Sequence, residues 1–526
     1  MERIWNGWSR HTQPLPPSAF PLLEQRLGSP QLPPQATLQD VLALLPPSRL
    51  PEHPCWDCTP MTRLTFSRGQ SLPDWIALKS GQPGRVPDAV AQPGNDDELR
   101  QCLNLAKEMD LDIIPYGGGT SVTGHVSPRP GQRPVLTIAM GRFNRLLRLD
   151  SENRLATFGA GISGPQLEAA LNAQGYTLGH FPQSFEFSTL GGWVATRSSG
   201  QQSLGYGRIE QLFAGAVVHT LTDRWVLPPL PASAAGPNWR ELLLGSEGRL
   251  GILSQVTVRV QPKPAKEQFF VSFLPDWRRA KQAVQQLVQQ GVQASMFRLS
   301  HPNESEVQLM LSLFERRRAW LYRLLKLRGI QQAPVLLVWS VSSSARRPVG
   351  TIKRALNGAG AVWHSASLGR KWASKRFDAP HLRDPLWQAG YCLDTLETAI
   401  GWDQLERLRQ TIEAALNNAL TAQGQPVLVF SHISHVYPQG ASLYVTYLFP
   451  YAGSAEQALD HWQRLKRAAS EAIVAVGGTI SHQHGVGQDH KPYLSAEIGQ
   501  TGQQALEALS QQLDPDQRLN PGVLLP

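Results

Sequence analysis

The chain has 526 residues, material for two to four domains. At 41% hydrophobic and 17% charged residues it is globular, with ample apolar content for a core, and a disordered chain is excluded. The formal net charge of +9 favours anionic ligands such as phosphates, or a phospholipid surface. Nucleic acid is disfavoured, because there is no Cys/His finger spacing and no lysine-rich arm with interleaved aromatics. Cys55, Cys58, Cys102 and Cys392 are too few for a disulfide framework and fit a reducing compartment. Cys55-Trp-Asp-Cys58 has no partner pair downstream and reads as two loop thiols. The start carries no apolar h-region, and no apolar run has membrane-spanning length. The expectation is a cytoplasmic protein that touches a membrane peripherally if at all. Of the 15 tryptophans, most are expected in the core and some along an apolar pocket.

Residues 1–84 are proline-rich and read as an irregular, partly helical extension. Asp88–Ala91 is a short apolar strand broken by Pro93-Gly94. Asn95 then offers an N-cap with Glu98 three residues on, close to a capping box, and Leu99, Cys102, Leu103 and Ala106 follow at helical spacing. A second strand over Asp112–Pro115 runs into a glycine loop. Strand, helix, strand, glycine loop is a phosphate-binding order. Further strands are expected at 135–139, 155–158 and 252–260, and a helix at 163–174. Gln261-Pro-Lys-Pro264 breaks the chain, so a first domain is placed at 85–264. Residues 265–475 mix strands at 268–273, 334–341 and 442–449 with helices at 276–290 and 403–422. They are expected to form a substrate domain on an antiparallel sheet, and 476–526 a closing segment that returns to the first domain. The fold class is α+β.

Three motifs carry chemistry. Pro115, Tyr116, Gly117, Gly118, Gly119, Thr120 and Ser121 form the first. Three glycines let successive N–H groups converge on one anion, and the two hydroxyls add donors. A tight turn is the competing reading, and the preceding strand favours phosphate. The spacing is not G-x-G-x-x-G, so a nicotinamide Rossmann site is unsupported. The second motif, Gln183–Gly200, packs hydroxyls, glycines and one arginine into a density that suits a polar cofactor against backbone. The third, Gly245–Ile252, is a glycine turn feeding a strand, and an ordinary turn is equally compatible with it.

In this order the motifs resemble the FAD domain of the vanillyl-alcohol oxidase and p-cresol methylhydroxylase superfamily. That resemblance implies a two-subdomain FAD-binding domain plus a cap domain, and a dissociable, non-covalent FAD. Its implied cofactor contacts are Pro115–Ser121, then Gln183, Ser184, Ser188, Thr189 and Gly192. Thr196, Arg197, Ser198 and Ser199 follow, and last Glu247, Gly248, Leu250, Gly251, Ile252 and Leu253.

Within the superfamily the chain is most similar to alkyl-dihydroxyacetonephosphate synthases. The likeness starts at Trp5-Asn-Gly-Trp8 and includes Arg298 in A-S-M-F-R-L, Arg383 in L-R-D and Asp394–Trp402. It continues through Tyr437–Tyr444 and Ser481–Gly487. It implies exchange of the acyl group of acyl-dihydroxyacetonephosphate for a long-chain alcohol, through a covalent adduct at flavin N5. Arg298 and Arg383 would serve the substrate, and Tyr444, His482 and His484 the proton transfers; without the resemblance, paired arginines and a packed strand tyrosine are the ordinary readings. The family has three consecutive histidines where this chain has His482-Gln483-His484, and Gln483 cannot exchange a proton near neutral pH. This keeps open a second reading, an FAD-linked oxidoreductase of a D-2-hydroxy acid or other small alcohol. Related dehydrogenases hold a metal through a G-H-x-x-x-G-N-x-H pattern, whose Asn and second His are missing around His432 and His435. No metal is expected, and those two histidines read as pocket or structural residues. Phe314–Arg328 is basic and amphipathic, and suits either an anionic membrane or an ordinary helix with a solvated face. A homodimer is compatible with all of this.

Overall fold

The computed structural model describes residues 4–9, 14–342 and 347–525. Three larger sheets organise them, together with a two-stranded pairing of residues 176–177 with 261–262. The first is parallel, with β1 (Ala89–Ala91), β2 (Asp112–Tyr116) and β3 (Val135–Ala139) in the order β1-β3-β2. α1 (Ala19–Leu27) lies in the N-terminal stretch, and α2 (Asp96–Glu108) covers the parallel sheet with Leu99, Cys102, Leu103 and Ala106. Asn95 caps α2 by accepting from the Glu98 N–H at 2.9 Å. The Glu98 carboxylate reaches past Asn95 to the N–H of Gly94 at 2.7 Å, so the box closes one residue early. The C-terminal tail joins this sheet: Ile113 lies beside Leu519, and its carbonyl accepts from the Asn520 N–H at 2.7 Å.

The second sheet is antiparallel: β4 (Leu146–Asp150), β5 (Leu155–Gly159), β6 (Phe213–His219), β7 (Arg224–Leu227) and β8 (Ile252–Arg259) in the order β4-β5-β8-β6-β7. α3 (Gly164–Asn172) and the short α4 (Leu190–Ala195) contribute Leu167, Leu171, Leu190 and Val194 to the core against it. The third sheet has seven antiparallel strands. They are β9 (Gln268–Leu274), β10 (Met296–Ser300), β11 (Val335–Val341), β12 (Trp363–Ser365), β13 (Tyr391–Gly401), β14 (Leu428–Val436) and β15 (Gly440–Pro450), in the order β12-β9-β11-β10-β14-β15-β13.

Successive side chains on a strand point to opposite faces. Leu337, Trp339, Leu299, Ile433, Leu443, Val445 and Phe449 face one way and pack on helices 277–289, 405–418 and 455–476. The alternate positions face the first two sheets, and the functional cavity lies there. α1, α5 (Pro302–Ser312) and α6 (Glu315–Leu327) border that side. The run of 314–328 thus holds the helix α6 between the flanking Phe314 and Arg328, with Leu321 and Leu325 buried.

Candidate active site

A cavity of about 700 Å³ opens between the glycine loop after β2 and the inner face of the seven-stranded sheet. Its first wall is mostly backbone. A Cβ on Gly118 would sit 1.8 Å from the Phe187 carbonyl oxygen, and one on Gly117 would sit 2.5 Å from Thr189 Oγ1. Gly119 has φ +62°. No side chain larger than hydrogen fits at the first two positions, so the loop can lie directly against Phe187–Thr189 and present its peptide groups to a ligand. Thr120, Ser121, Gln183, Ser184, Ser188, Thr189 and Gly192 line the same wall. Thr196, Ser198 and Ser199 continue it, followed by Glu247, Gly248, Gly251, Ile252 and Leu253. A long wall of glycines and hydroxyls with an anion-binding loop at one end fits a flavin dinucleotide.

Two of the expected contacts are not on this wall. Arg197 turns outward, with Nη2 2.8 Å from Glu241 and Nε 3.4 Å from Glu210. Leu250 is fully buried in packing away from the cavity. Glu247 serves the loop as well as the wall. Its carboxylate accepts the N–H groups of Val486 and Gly487 and lies 3.1 Å from His125 Nε2, fixing the histidine loop to the first domain.

The second wall is made of side chains set by strand register. Three rows cross β13, β15 and β14: Leu393, Leu448 and Leu428; then Thr395, Thr446 and Phe430; then Glu397, Tyr444 and His432. The face therefore grades from hydrocarbon to ionisable over four residues. A register irregularity between Ile433 and Val436 lets both Ser434 and His435 reach the polar end.

At that end lie Tyr444, His484, Arg298 and Arg383. Tyr444 stacks on His432 at 5.0 Å and meets His484 edge-on at 5.9 Å. Burial pushes the Tyr444 phenol up to about 12 and lowers His484, so at neutral pH the first keeps its proton and the second is free to take one. Arg298 is 2.8 Å from Glu304 and bonds Ser300 at 3.1 Å. Burial opposes charge on Glu304, yet Arg298 and His432 outweigh it and draw the carboxyl down to about 2. Arg383 donates to the Gln70 carbonyl and lies 3.5 Å from Asp394. Asp394 is held in turn by Tyr447 at 3.0 Å and Trp462 at 2.8 Å.

His482 does not reach the cavity. Its Nε2 lies 2.6 Å from both Arg208 Nη1 and the Tyr437 hydroxyl, while Nδ1 faces Glu397 at 3.2 Å. Arg208 can only donate, so Nε2 must accept, and the ring proton sits on Nδ1, toward the carboxylate. Burial brings His482 down to about 4. Glu397 also accepts from Gln483, Ser434 and Ser442 and lies 3.2 Å from His435 Nδ1. Burial opposes its charge, but His482 and His435 hold its carboxyl well below the usual range. Glu397, His435 and His482 are spaced as three metal ligands would be. With Nδ1 of His482 protonated and the Arg208 cation alongside, that cluster suits a proton better than a metal.

Glu397, Glu304 and His125 were not singled out from the sequence. The available signal was a carboxylate on the inward face of an otherwise apolar strand, as in Tyr-Cys-Leu-Asp-Thr-Leu-Glu397, where a buried charge must have partners.

Residues 87–225 match the family described as FAD binding domain, and residues 263–524 match FAD linked oxidases, C-terminal domain. Alkyldihydroxyacetonephosphate synthase of Dictyostelium discoideum is 31% identical over 89% of this chain and 78% of its own. The protein of that name from Caenorhabditis elegans is 31% identical over 86% and 78%. A solved alkyldihydroxyacetonephosphate synthase structure superposes with a TM-score of 0.83 at 27% identity, covering 98% of both chains. The chain therefore belongs to the alkyldihydroxyacetonephosphate synthase family, and its cofactor is FAD.

Proposed function

We propose that the chain exchanges the acyl group of acyl-dihydroxyacetonephosphate for a long-chain alcohol, giving an ether-linked product and a fatty acid. One observation carries this reading: in a single cavity the glycine loop and two arginines meet one end of a sheet face whose other end is hydrocarbon. A substrate with a phosphate at one end and an aliphatic chain at the other matches that gradient. FAD held by Gly117–Gly119 and the wall from Gln183 to Ser199 would supply an electron-accepting ring for the reacting carbon. Arg383 and Arg298 hold the phosphate, the former more strongly because its partner Asp394 stands off at 3.5 Å and leaves donors to spare. His484, uncharged, takes a proton from the dihydroxyacetone carbon and returns one to it once the alcohol has replaced the carboxylate. Tyr444 gives a proton to the departing carboxylate and regains one from the incoming alcohol. His482, Gln483 and Glu397 hold the loop that carries His484.

The same reading places α6 against a membrane that delivers the lipid. Leu313 lines the cavity, and the adjoining Phe314 is 81% exposed, with Trp320 at 60% and Leu327 at 86% beside exposed Arg316, Arg317 and Arg323. Among the described residues no helix is long and apolar enough to cross a membrane. Trp320→Ser should lower co-sedimentation with anionic vesicles several-fold.

Incubation of the FAD-loaded protein with acyl-dihydroxyacetonephosphate and labelled hexadecanol tests the exchange. Label is expected in the ether product, with no bleaching by D-2-hydroxy acids under anaerobic conditions. Bleaching without incorporation would establish the oxidoreductase reading instead.

A further inference from the structure

The reaction outlined above leaves the N-terminal Trp5-Asn-Gly-Trp8 segment without a task. Trp8 is 5% exposed and lines the cavity. Its Nε1 donates to Glu186 Oε2 at 3.1 Å, and its ring meets Phe187 edge-on at 5.2 Å. His381 Nε2 lies 3.2 Å from the same carboxylate oxygen. One residue earlier, the Gly7 carbonyl accepts from Gln70 Nε2 at 3.3 Å. The backbone of Gln70 gives its N–H to the Ser121 carbonyl at 2.6 Å and accepts from Arg383. The first described residues are thus tied to both the glycine loop and the phosphate-binding arginine.

From Pro14 the chain lines the cavity again, through Leu15 and then Ala19, Leu22 and Leu23 of α1. Ala19 and Leu23 pack with Met310, Leu386 and Leu448. This is the hydrocarbon end of the sheet face. The row of Leu393, Leu448 and Leu428 stands four residues from the row of Tyr444, roughly 13 Å at the usual strand rise. No side chain caps the start of α1, so its place depends on apolar packing, and Leu382 and Leu386, which pack with it, follow closely on the His381 that Trp8 meets.

We propose that α1 is the end wall that sets the length of aliphatic chain the site accepts, and that Trp8 is the positioning residue that seats it. The inference rests on the lipid-exchange reading for the identity of the chain. Each methylene that finds room against Leu448 and Met310 adds about a factor of four in affinity, and the gain stops where Ala19 and Leu23 stand.

The test is calorimetric binding of octanoate, dodecanoate, hexadecanoate and octadecanoate to the full, FAD-loaded chain. Affinity should climb with length and then level off. Ala19→Trp should weaken hexadecanoate about tenfold or more and octanoate less than about twofold, the loss of two or three buried methylenes. Leu23→Ala should move the plateau to a longer acid, which decides the matter if Ala19→Trp does not fold. Trp8→Phe, which keeps a ring and loses the Nε1–H, should blur the plateau while binding octanoate as before. Equal loss at every length, or a plateau that neither α1 substitution moves, would overturn the inference. A shifted plateau in a protein inactive in exchange would sink the lipid-exchange reading alone.

Discussion

On one side of the cavity Gly117–Gly119 offer peptide groups from consecutive residues, and the fit of Gly117 and Gly118 depends on having no side chain. On the other side Arg298, Arg383, Tyr444 and His484 come from four separate stretches of chain, and they meet because strand register places Arg298 and Tyr444 while a docked helix brings Arg383 and a loop brings His484. The first wall fails when an atom is added, the second when one is removed. Cofactor retention should therefore follow the first wall and turnover the second.

The largest effect is expected at Gly118. Gly118→Val would press its side chain onto the Phe187 carbonyl, and the purified protein should lack the visible flavin band and fail to regain it from added FAD. A yellow Gly118→Val protein would break the comparison at its base. Next come Tyr444→Phe and Arg383→Met, each expected to lower turnover by about a hundredfold to ten-thousandfold while the flavin spectrum persists. If either loses the cofactor as readily as the glycine variant, the two walls are not separable.

Acid should act behind both walls, at two buried rings: His180, whose Nε2 lies 2.7 Å from Ser198 Oγ behind the glycine wall, and His482 beneath the side-chain wall. Burial holds His180 down to about 3 and His482 down to about 4, whereas in the unfolded chain each takes up a proton near the ordinary 6.5. Between those values the unfolded state binds more protons, so stability falls as pH falls through the window from 6.5 toward 4. Glu397 adds to this at the lower end. Its depressed folded value makes a contribution present above 4.5 that is lost as pH drops further. Thermal melts between about pH 7 and about pH 4 should register a loss of a few kcal/mol, and His482→Gln should flatten part of the slope. The smallest effect is expected at Thr189, whose side chain accepts from the Gly192 N–H at 3.4 Å at the start of α4. Thr189→Ala should cost about 1 kcal/mol, seen as a less than tenfold weakening of FAD binding, and Thr189→Ser should restore it.

Legibility in the sequence divides along the same line. The glycine triplet after a strand, and the hydroxyl-rich run from Gln183, identify a cofactor wall without any fold, because a turn and its peptide groups are local. A contiguous motif does not say which of its side chains face the ligand, and so Arg197 and Leu250 were counted with their neighbours although one turns to Glu241 and the other into packing. His482 and His484 look alike in the chain. Their difference comes from Arg208 and Tyr437, which are distant in sequence and capture the first ring.

By itself the sequence determined the alternation of strands and helices, the anion-binding loop and the family. Tertiary structure alone decided that Glu397 lies beneath Gln483, that Asp394 backs Arg383, and that a proline-rich N-terminal stretch walls the hydrocarbon end of the cavity. Hydrogen-bond geometry within a turn is set by neighbours in the chain. The partner of a buried charge is set by strand register and helix docking, which no short segment encodes.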